Sequence, residues 1–391
     1  MKKTVLYSLF LILLSITANA HTYRINSETQ LKAILDKLVA GDEVIIANGT
    51  YTNWGITIAN KGTEAKPILI RAETVGKVVF SGDVDQTLFK VTGDFVVLNG
   101  FSFNSCNLTK ANGKTGILIE FRNTKNCRLT TSTFIKNKVN TQFMPLVIVS
   151  GNGSNNQIDH CTFNGNIDNQ DVQVKISKED CPLYTLITAN VFSDKNKVSW
   201  KNGNGGECVQ IGQDPVLLGV IEARSTVSDN KFINCNGENE VISNKSSGNR
   251  YLNNYFKDND GELVMRGGHD CLIEGNVFEG GTGGIRINGT GHTIVNNKID
   301  HIKTAIRLMY GMGKGKDEIG FYIAASNCTI KGNQIANAAI GILIGDSKNA
   351  DWTGKFDVTR YPSRTMQDVA AFNNQVSGNT FSHTKNEQVI Q

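Results

Sequence analysis

The sequence predicts an all-β protein, a right-handed parallel β-helix that begins with a short capping helix. The first observation is a weak repeat: an aliphatic residue, two further residues, usually Asn, one more residue, and then Phe or Ile. Its copies begin at Leu129, Ile187, Val227, Tyr251, Ile273, Ile294, Ile330 and Val376. The second observation is the spacing. Between residues 227 and 294 the copies start 24, 22 and 21 residues apart, which is the length of one solenoid coil.

The composition of the repeat favours a β-solenoid over other repeat folds. Its segments are rich in β-branched residues, Gly and Asn, and they lack a leucine signature or helical periodicity. We expect the aliphatic and aromatic positions to stack inside the coil as ladders. Asn suits the bend because it tolerates the left-handed backbone region and can hydrogen-bond to its stacked copies. A further copy that starts at Ile158 is expected to have a shifted end at Phe163.

Residues 1–20 are typical of a Sec signal peptide. Lys2 and Lys3 precede a short apolar run, and Ala18 and Ala20 form a small-x-small cleavage site. The sequence therefore predicts an exported protein, secreted or periplasmic, with no membrane segment after cleavage, because no other stretch approaches 18 apolar residues. Removal of the leader lowers the formal charge from +4 to +2, which argues against nucleic-acid binding.

The mature chain is predicted to start with a cap. Ser27 and Gln30 resemble a capping box, the apolar residues of 31–38 recur at helical spacing, and Gly41 is expected to end the helix. Such a helix would cover the open end of the solenoid core. Residues 42–51 are then predicted to form the first strand and turn.

The remaining sequence shows no linker, so residues 21–391 are predicted to form one β-helical domain, with a monomer as the simplest state. Residues 346–368 break the repeat and are predicted to form a loop before the last coil. The 8 cysteines of this exported chain could form disulfides. We favour their use as small apolar core residues, since the repeat places Cys271 and Cys328 two rungs apart.

The stretch between Cys235 and Cys271 concentrates residues that could carry chemistry. Glu238 and Glu240 are two residues apart, so on an extended segment their side chains leave from one face and can bind one cation. Lys245 follows on the same segment. Arg266 comes about one repeat later, and residues one repeat apart become neighbours at about 4.8 Å in a solenoid. The sequence thus predicts an acidic cation site beside a Lys/Arg pair.

The metal that suits such a site is Ca²⁺, because its ligands are oxygen atoms. Asn204, on the preceding coil, is a further candidate ligand beside Glu238 and Glu240. The alternative is that both acids are solvated surface residues. A zinc site, a Ser/His/Asp triad and the paired aspartates of β-helical glycosidases are not indicated by any spacing in the sequence.

Three arginines predict a second ladder on an outer face. Arg266, Arg286 and Arg307 lie 12, 10 and 10 residues after their bend asparagines, each in a strand-like setting. Stacked guanidinium groups repel one another unless an anion lies over them. The ladder is therefore interpreted as a track for an anionic polymer, with the alternative that nearby acids neutralise it.

The string Glu238-Asn-Glu240-Val-Ile-Ser-Asn-Lys245-Ser, with Arg266 one coil later, resembles the central motifs of polysaccharide lyase family 6. This family contains alginate lyases and chondroitinase B and has a right-handed parallel β-helix. The resemblance implies that Asn204, Glu238 and Glu240 bind Ca²⁺. It further implies that Lys245 is the general base and that Arg266 has the acid role.

The sequence departs from the family at one position. Family alginate lyases typically have His directly after the arginine, whereas here Gly267 and Gly268 follow and the histidine is His269. This puts the fine geometry and the substrate preference in question. His269, Arg286, Arg307 and Tyr310 are the candidate substrate-binding residues.

The activity that the resemblance implies is β-elimination on an anionic polysaccharide. Lys245 would remove the C5 hydrogen of a uronate whose carboxylate charge is offset by Ca²⁺ and Arg, and Arg266 would assist the leaving O4. The prediction is an alginate lyase, of the poly(β-D-mannuronate) lyase type. Alternatives are a dermatan or chondroitin lyase, a pectate-type lyase, and a catalytically silent glycan-binding β-helix.

Overall fold

A computed structural model describes residues 20–213, 221–316, 322–355, 357, 359 and 364–391. Apart from Ala20, the predicted leader lies outside the described residues. In the described part, the chain forms one helix and otherwise short strands. That helix is not long and apolar enough to cross a bilayer. The fold is the predicted right-handed parallel β-helix.

The elements up to residue 174 are β1 (Thr22–Ile25), α1 (Glu28–Leu35), β2 (Glu43–Ile46), β3 (Gly49–Tyr51), β4 (Ile56–Ile58), β5 (Ile68–Ala72), β6 (Val78–Val84), β7 (Thr87–Val91), β8 (Val96–Asn99), β9 (Phe101–Leu108), β10 (Lys110–Ala111), β11 (Lys114–Thr115), β12 (Ile117–Arg122), β13 (Arg128–Thr130), β14 (Thr133–Ile135), β15 (Lys138–Val139), β16 (Pro145–Ser150), β17 (Gln157–Asp159), β18 (Thr162–Asn164) and β19 (Gln170–Val174). The later strands are β20 (Leu186–Thr188), β21 (Val191–Lys195), β22 (Val209–Ile211), β23 (Thr226–Ser228), β24 (Lys231–Cys235), β25 (Glu240–Asn244), β26 (Arg250–Leu252), β27 (Tyr255–Asn259), β28 (Glu262–Met265), β29 (Leu272–Glu274), β30 (Val277–Gly281), β31 (Ile285–Ile287), β32 (Thr293–Val295), β33 (Lys298–Asp300), β34 (Thr304–Met309), β35 (Thr329–Lys331), β36 (Gln334–Ala336), β37 (Ile340–Asp346), β38 (Gln375–Ser377), β39 (Thr380–Ser382) and β40 (Asn386–Ile390).

Three long sheets run side by side along the solenoid axis. Sheet 1 has the order β1-β2-β5-β8-β13-β17-β20-β23-β26-β29-β32-β35-β38, and sheet 2 has the order β3-β6-β9-β14-β18-β21-β24-β27-β30-β33-β36-β39. Sheet 3 has the order β4-β7-β12-β16-β19-β22-β25-β28-β31-β34-β37-β40. The pairings within the three sheets are parallel, so each coil adds one strand to each sheet.

The inner ladders confirm the repeat that the sequence shows. Seven phenylalanines stack with ring centroids 4.4–4.9 Å apart, from Phe103 on β9 to Phe278 on β30. At the bend, the backbone N–H of each asparagine donates to the Oδ1 of the next, as Asn254 does to Asn276 at 2.9 Å. The expected shift at Phe163 is wrong, because Phe163 pairs with Phe134 in register and Cys161 occupies the bend position.

The cysteines are core residues, as predicted. All eight are free thiols, and seven are buried. Cys271 N–H donates to Nδ1 of His292 on the next coil at 3.1 Å, so this histidine takes the place that asparagine holds on other coils. Burial lowers the pKa of His292 to about 4, which keeps the ring neutral and Nδ1 able to accept.

The cap is confirmed with two corrections. Ser27 is the N-cap of α1 and accepts from the N–H of Gln30, whose side chain accepts from Asn26 N–H. The helix ends at Leu35, before Gly41, which instead turns the chain into β2 with a φ of 96°. The first strand is β1, which precedes the helix and pairs with β2.

Candidate active site

Three glutamates meet on the outer face of sheet 3. Glu207, Glu238 and Glu240 are buried, and each offers one carboxylate oxygen within 4.8 Å of the others. Strand pairing brings Glu207 close to Glu240. Val209 on β22 pairs with Ile242 on β25, and each glutamate lies two residues before one member of this pair, so the two glutamates lie side by side on neighbouring coils. The predicted meeting of Glu238 and Glu240 is confirmed.

Glu207 is a member of the cluster that the sequence did not reveal. It stands three residues after Asn204, in the segment that was expected to supply the asparagine. Asn204 itself is exposed, and its carbonyl accepts from the side chain of Gln142 at 2.8 Å. Its role as a ligand stays a prediction. Aligning the sheet 3 strands, rather than the bends, would have placed Glu207 beside Glu240.

Neighbouring side chains and backbone amides hold the carboxylates in place. Gln210 Nε2 donates to Glu207 Oε1 at 2.6 Å, and Gln170 Nε2 donates to Glu207 Oε2 at 3.0 Å. Glu238 Oε2 accepts from the N–H groups of Gly205 and Gly206. A Cβ on Gly206 would lie 2.5 Å from the carbonyl carbon of Gly237, so only glycine lets these two turns approach.

The surroundings act in opposite directions on two of the carboxylates. Burial, followed by the charges of Glu207 and Glu240, raises the pKa of Glu238 well above its usual range. For Glu240 burial acts in the same direction, but Arg266, Arg286 and Lys245 outweigh it and lower its pKa to about 2. Among the described residues, the buried Oε2 of Glu240 has no hydrogen-bond partner. An oxygen-rich, anionic and unsatisfied site of this kind fits a divalent cation.

Lys245 lies at the edge of the cluster, directly after β25. It is buried, and its Nζ lies 3.8 Å from Glu207 Oε1. Burial and the nearby Arg266 guanidinium lower the pKa of Lys245, although the three glutamates act in the opposite direction. The lysine is therefore closer to the neutral form than a solvated lysine, as a general base requires.

Arg266 follows Lys245 by one coil. Asn244 pairs with Met265, and Arg266 N–H donates to Asn244 O at 3.0 Å, so the two cationic residues leave neighbouring strands at the same level. Nη1 of Arg266 lies 3.7 Å from Glu240 Oε1, and Nη2 donates to Tyr322 Oη at 3.0 Å. Tyr322 was not predicted, because it comes from an insertion between β34 and β35 that has no repeat pattern.

The predicted ladder of three arginines is wrong for one member. Arg286 and Arg307 pair in register, but the residue that pairs with Arg286 on β28 is Val264, so Arg266 lies two residues further along. Acids neutralise the remaining two arginines. Arg286 Nη2 donates to Glu240 Oε1 at 2.5 Å, Arg307 forms two hydrogen bonds with Glu262, and Arg307 Nη1 donates to Asp346 Oδ2 at 2.8 Å.

A cavity of about 440 Å³ opens beside this row of arginines. Its lining includes Asp260, Thr282, Arg286, Lys303 and Arg307. Arg286 lines this cavity and also contacts Glu240 of the carboxylate cluster. The cavity therefore extends the polar surface of the cluster on the side away from Lys245. Both predicted substrate-binding arginines therefore border open space, even though their charges are balanced.

The two other predicted substrate-binding residues lie on different sides of this region. His269 is buried three residues after Arg266, with Nδ1 2.8 Å from Asp270 Oδ2 and Nε2 3.9 Å from Glu222 Oε1. Tyr310 is buried after β34, and its Oη donates to the carbonyl of Gln391 at 3.4 Å. Neither role in substrate binding is tested by these contacts.

Comparison with protein families identifies one match over most of the chain. The sequence model described as chondroitinase B matches residues 25–389. No protein with a curated description matches the sequence.

Solved structures with the same fold include several polysaccharide lyases of family 6. One is Pedsa3628 from Pseudopedobacter saltans, with 24% identity and a TM-score of 0.76 over 92% of this chain and 84% of that one. Another is a mannuronic acid specific family 6 lyase from human gut microbiota, with 25% identity and a TM-score of 0.74 over 95% and 82% of the two chains. A third is the alginate lyase AlyGC, with 24% identity and a TM-score of 0.73. The match covers 92% of this chain but only 49% of AlyGC, so this chain spans about half the length of that enzyme.

Proposed function

The chain belongs to the chondroitinase B family, polysaccharide lyase family 6, and on this premise we propose that it cleaves alginate by β-elimination. The observation that carries the proposal is the buried Lys245, which lies between an anionic cluster and Arg266. A mannuronic acid specific relative at 25% identity supports a polyuronate substrate and the poly(β-D-mannuronate) type.

Lys245 is proposed as the general base that takes the C5 proton of a uronate. A base must be neutral to accept a proton, and burial together with Arg266 favours the neutral lysine. Arg266 is proposed to have the acid role and to assist departure of the O4 leaving group, because its guanidinium lies one coil from Lys245 and its N–H groups can donate to an oxygen that gains negative charge. No water attacks the sugar in this reaction, so the product carries a C4=C5 double bond.

Ca²⁺ is proposed to bind to Glu207, Glu238 and Glu240, with Asn204 as a further candidate ligand. The crowded carboxylates and the unsatisfied Oε2 of Glu240 support this assignment. When bound, the cation supplies positive charge that offsets a uronate carboxylate and makes the C5 hydrogen more acidic.

A dermatan or chondroitin sulfate lyase is the second candidate, and the name of the matching family favours it. Sulfated substrates call for extra positive charge along the groove. The two in-register arginines that could supply it, Arg286 and Arg307, are already paired with Glu240, Glu262 and Asp346. This pairing favours alginate. We also propose export through the leader at residues 1–20, which agrees with a polymer substrate outside the cytoplasm.

Ultraviolet absorbance of the unsaturated product tests the proposal. The mature protein would be assayed on alginate, dermatan sulfate and polygalacturonate, with and without a calcium chelator. We expect product from alginate, and a large loss with the chelator. Product from dermatan sulfate alone would replace the substrate assignment. Glycan binding without product from any polymer would leave a binding protein and exclude the lyase.

A further inference from the structure

Phe143 is an exposed aromatic residue in an unfavourable backbone conformation. It lies two residues before β16 and is 52% exposed, and it is the only exposed phenylalanine in the part of the chain that the structure describes. Its φ is 64°, in the left-handed region. Most other non-glycine residues of this fold with such a φ are Asn, Asp or His, which tolerate it, whereas a bulky residue is strained there.

The turn at Phe143 does not itself require an aromatic side chain. The next residue, Met144, is buried in the core, and its carbonyl accepts from Gln170 N–H at 3.3 Å. The left-handed residue therefore directs the chain inward, which Asn or Gly would do with less strain. A single exposed apolar residue is common on protein surfaces, but strained residues concentrate at functional sites. The combination indicates that the ring itself has a use.

The Phe143 ring packs against the turn that holds the carboxylate cluster. An added Cβ on Gly205 would lie 3.3 Å from Cδ1 of Phe143, and the N–H of the same glycine donates to Glu238 Oε2. Asn204, directly before this glycine, is exposed as Phe143 is. A single residue thus separates the ring from a glutamate of the cluster, and the ring borders the exposed candidate ligand.

Hydrogen bonds fix the segment that carries the ring. Gln142 Nε2 donates to Asn202 Oδ1 at 2.6 Å and to the Asn204 carbonyl at 2.8 Å. Earlier in the same segment, Asn140 N–H donates to the carbonyl of Leu108 at 3.1 Å. The ring is therefore held on the cluster turn before any ligand binds, so little conformational entropy is lost when it makes a contact.

Resting on the proposed β-elimination of a polyuronate, we propose that Phe143 binds substrate by stacking on a pyranose ring of the polymer, next to the uronate at the cation site. A uronate carries its charge on one substituent and presents C–H groups on the faces of its ring, and these pack on an aromatic face. The charged groups of the cluster, Lys245 and Arg266 cannot supply such a contact. Because the stacked sugar is not the one whose bonds break, the contact should act on KM rather than on kcat.

Phe143→Asn is the first test, because Asn tolerates the left-handed conformation while the ring is removed. We expect KM on alginate to rise about tenfold, the usual scale of one aromatic contact, with kcat close to the wild-type value. Phe143→Tyr keeps the ring and should retain the wild-type KM. Phe95→Asn is the matched control, because Phe95 also has a positive φ, 53°, but lies before β8, several coils from the cluster. It should match wild type.

Cation binding separates a contact with sugar from mere support of the cluster turn. Calorimetric titration of Ca²⁺ should give the same affinity for Phe143→Asn and for wild type, because the ring touches the turn and none of the glutamates is altered. Weakened Ca²⁺ binding in Phe143→Asn would overturn the proposal and assign the ring to support of the turn. An unchanged KM on alginate would overturn it as well.

Binding without turnover separates this inference from the proposed reaction. Alginate oligosaccharides would be titrated into Lys245→Ala and into the same variant with Phe143→Asn added. Binding that is about tenfold weaker in the double variant would support the stack even if wild type releases no product, in which case only the lyase function fails. Equal binding by the two proteins would overturn the stack, and an active wild type would then leave the lyase function standing.

Discussion

Two charged regions share the outer face of sheet 3 and balance their charge differently. In the arginine row, Arg286 and Arg307 are paired with Glu240, Glu262 and Asp346 through short hydrogen bonds. In the carboxylate cluster, three glutamates come within 4.8 Å, while the nearest lysine nitrogen stays 3.8 Å from Glu207.

The difference separates a structural charge cluster from one that can bind a further ion. Burial of charge is tolerated where each charged group has a partner of opposite charge, as Arg286 and Arg307 do, although Nε of Arg286 has no hydrogen-bond partner among the described residues. In the cluster, the pKa of Glu238 is raised well above its usual range and Glu240 Oε2 is unsatisfied, so an added cation would lower the free energy of the folded state. Glu240 belongs to both regions, since its other oxygen accepts from Arg286.

The largest expected effect is on catalysis at Lys245. Lys245→Ala removes the only base that we propose, so kcat on alginate should fall by about 10² to 10⁴. Lys257→Ala, an exposed lysine on sheet 2, serves as the control and should retain the wild-type rate. The unsaturated product would be followed by ultraviolet absorbance, and circular dichroism would verify folding. A Lys245→Ala enzyme with substantial activity would remove the lysine from the mechanism.

The arginine row should respond in stability rather than in cation binding. Glu262→Gln leaves Arg307 without its bidentate carboxylate and should lower the free energy of unfolding by about 2–3 kcal/mol. This is less than the ~3–5 kcal/mol of a fully buried pair, because the Arg307 side chain is 26% exposed. Urea denaturation would measure the loss. A variant as stable as wild type would show that the row contributes little.

The pH dependence of stability should differ with and without Ca²⁺. In chelator, the folded-state pKa of Glu238 exceeds its unfolded value. Its contribution to stability is therefore present below the unfolded pKa, about 4.3 for glutamate, and is lost as pH rises through the folded value. Ca²⁺ binds the ionised form, so the increase in Tm on adding Ca²⁺ should be larger at pH 7 than near pH 4. Thermal denaturation at both pH values would measure this difference. Equal increases would contradict it.

Catalysis should become faster as pH rises toward the pKa of Lys245. Because this pKa is lowered in the fold, the neutral base forms at a lower pH than in a solvated lysine. The midpoint of the rise in kcat with pH should thus lie below 10.5, the ordinary lysine pKa, and this rise should be absent from the residual rate of Lys245→Ala. A midpoint at or above 10.5 would show that the pKa of Lys245 is not lowered by its surroundings.

The sequence predicts the parts of this molecule that repeat, and predicts less well the parts that do not. The asparagine and phenylalanine ladders were identified because every coil presents the same residue types at the same offset. Glu238, Glu240, Lys245 and Arg266 were found through one short motif. That motif gave no reason to expect Glu207, whose place depends on the pairing of β22 with β25.

A residue's position in the coil also cannot be predicted by counting residues from the bend asparagine where the turns of two coils differ in length. Arg266 was counted 12 residues after its asparagine and Arg286 only 10, and the two lie at different levels of sheet 3. The contacts of Tyr322 and Trp352 could not be predicted, because neither residue follows the coil repeat: Tyr322 contacts Arg266, and the rings of Tyr322 and Trp352 contact each other.

Calorimetric titration of Ca²⁺ tests the contrast between the two regions most directly. Wild type, Glu238→Gln and Glu262→Gln would each be freed of metal and titrated at neutral pH. The account predicts one Ca²⁺ per chain for wild type and for Glu262→Gln, and strongly weakened binding for Glu238→Gln. Absence of binding in wild type, or equal affinity of the two variants, would contradict the assignment of the carboxylate cluster as the cation site.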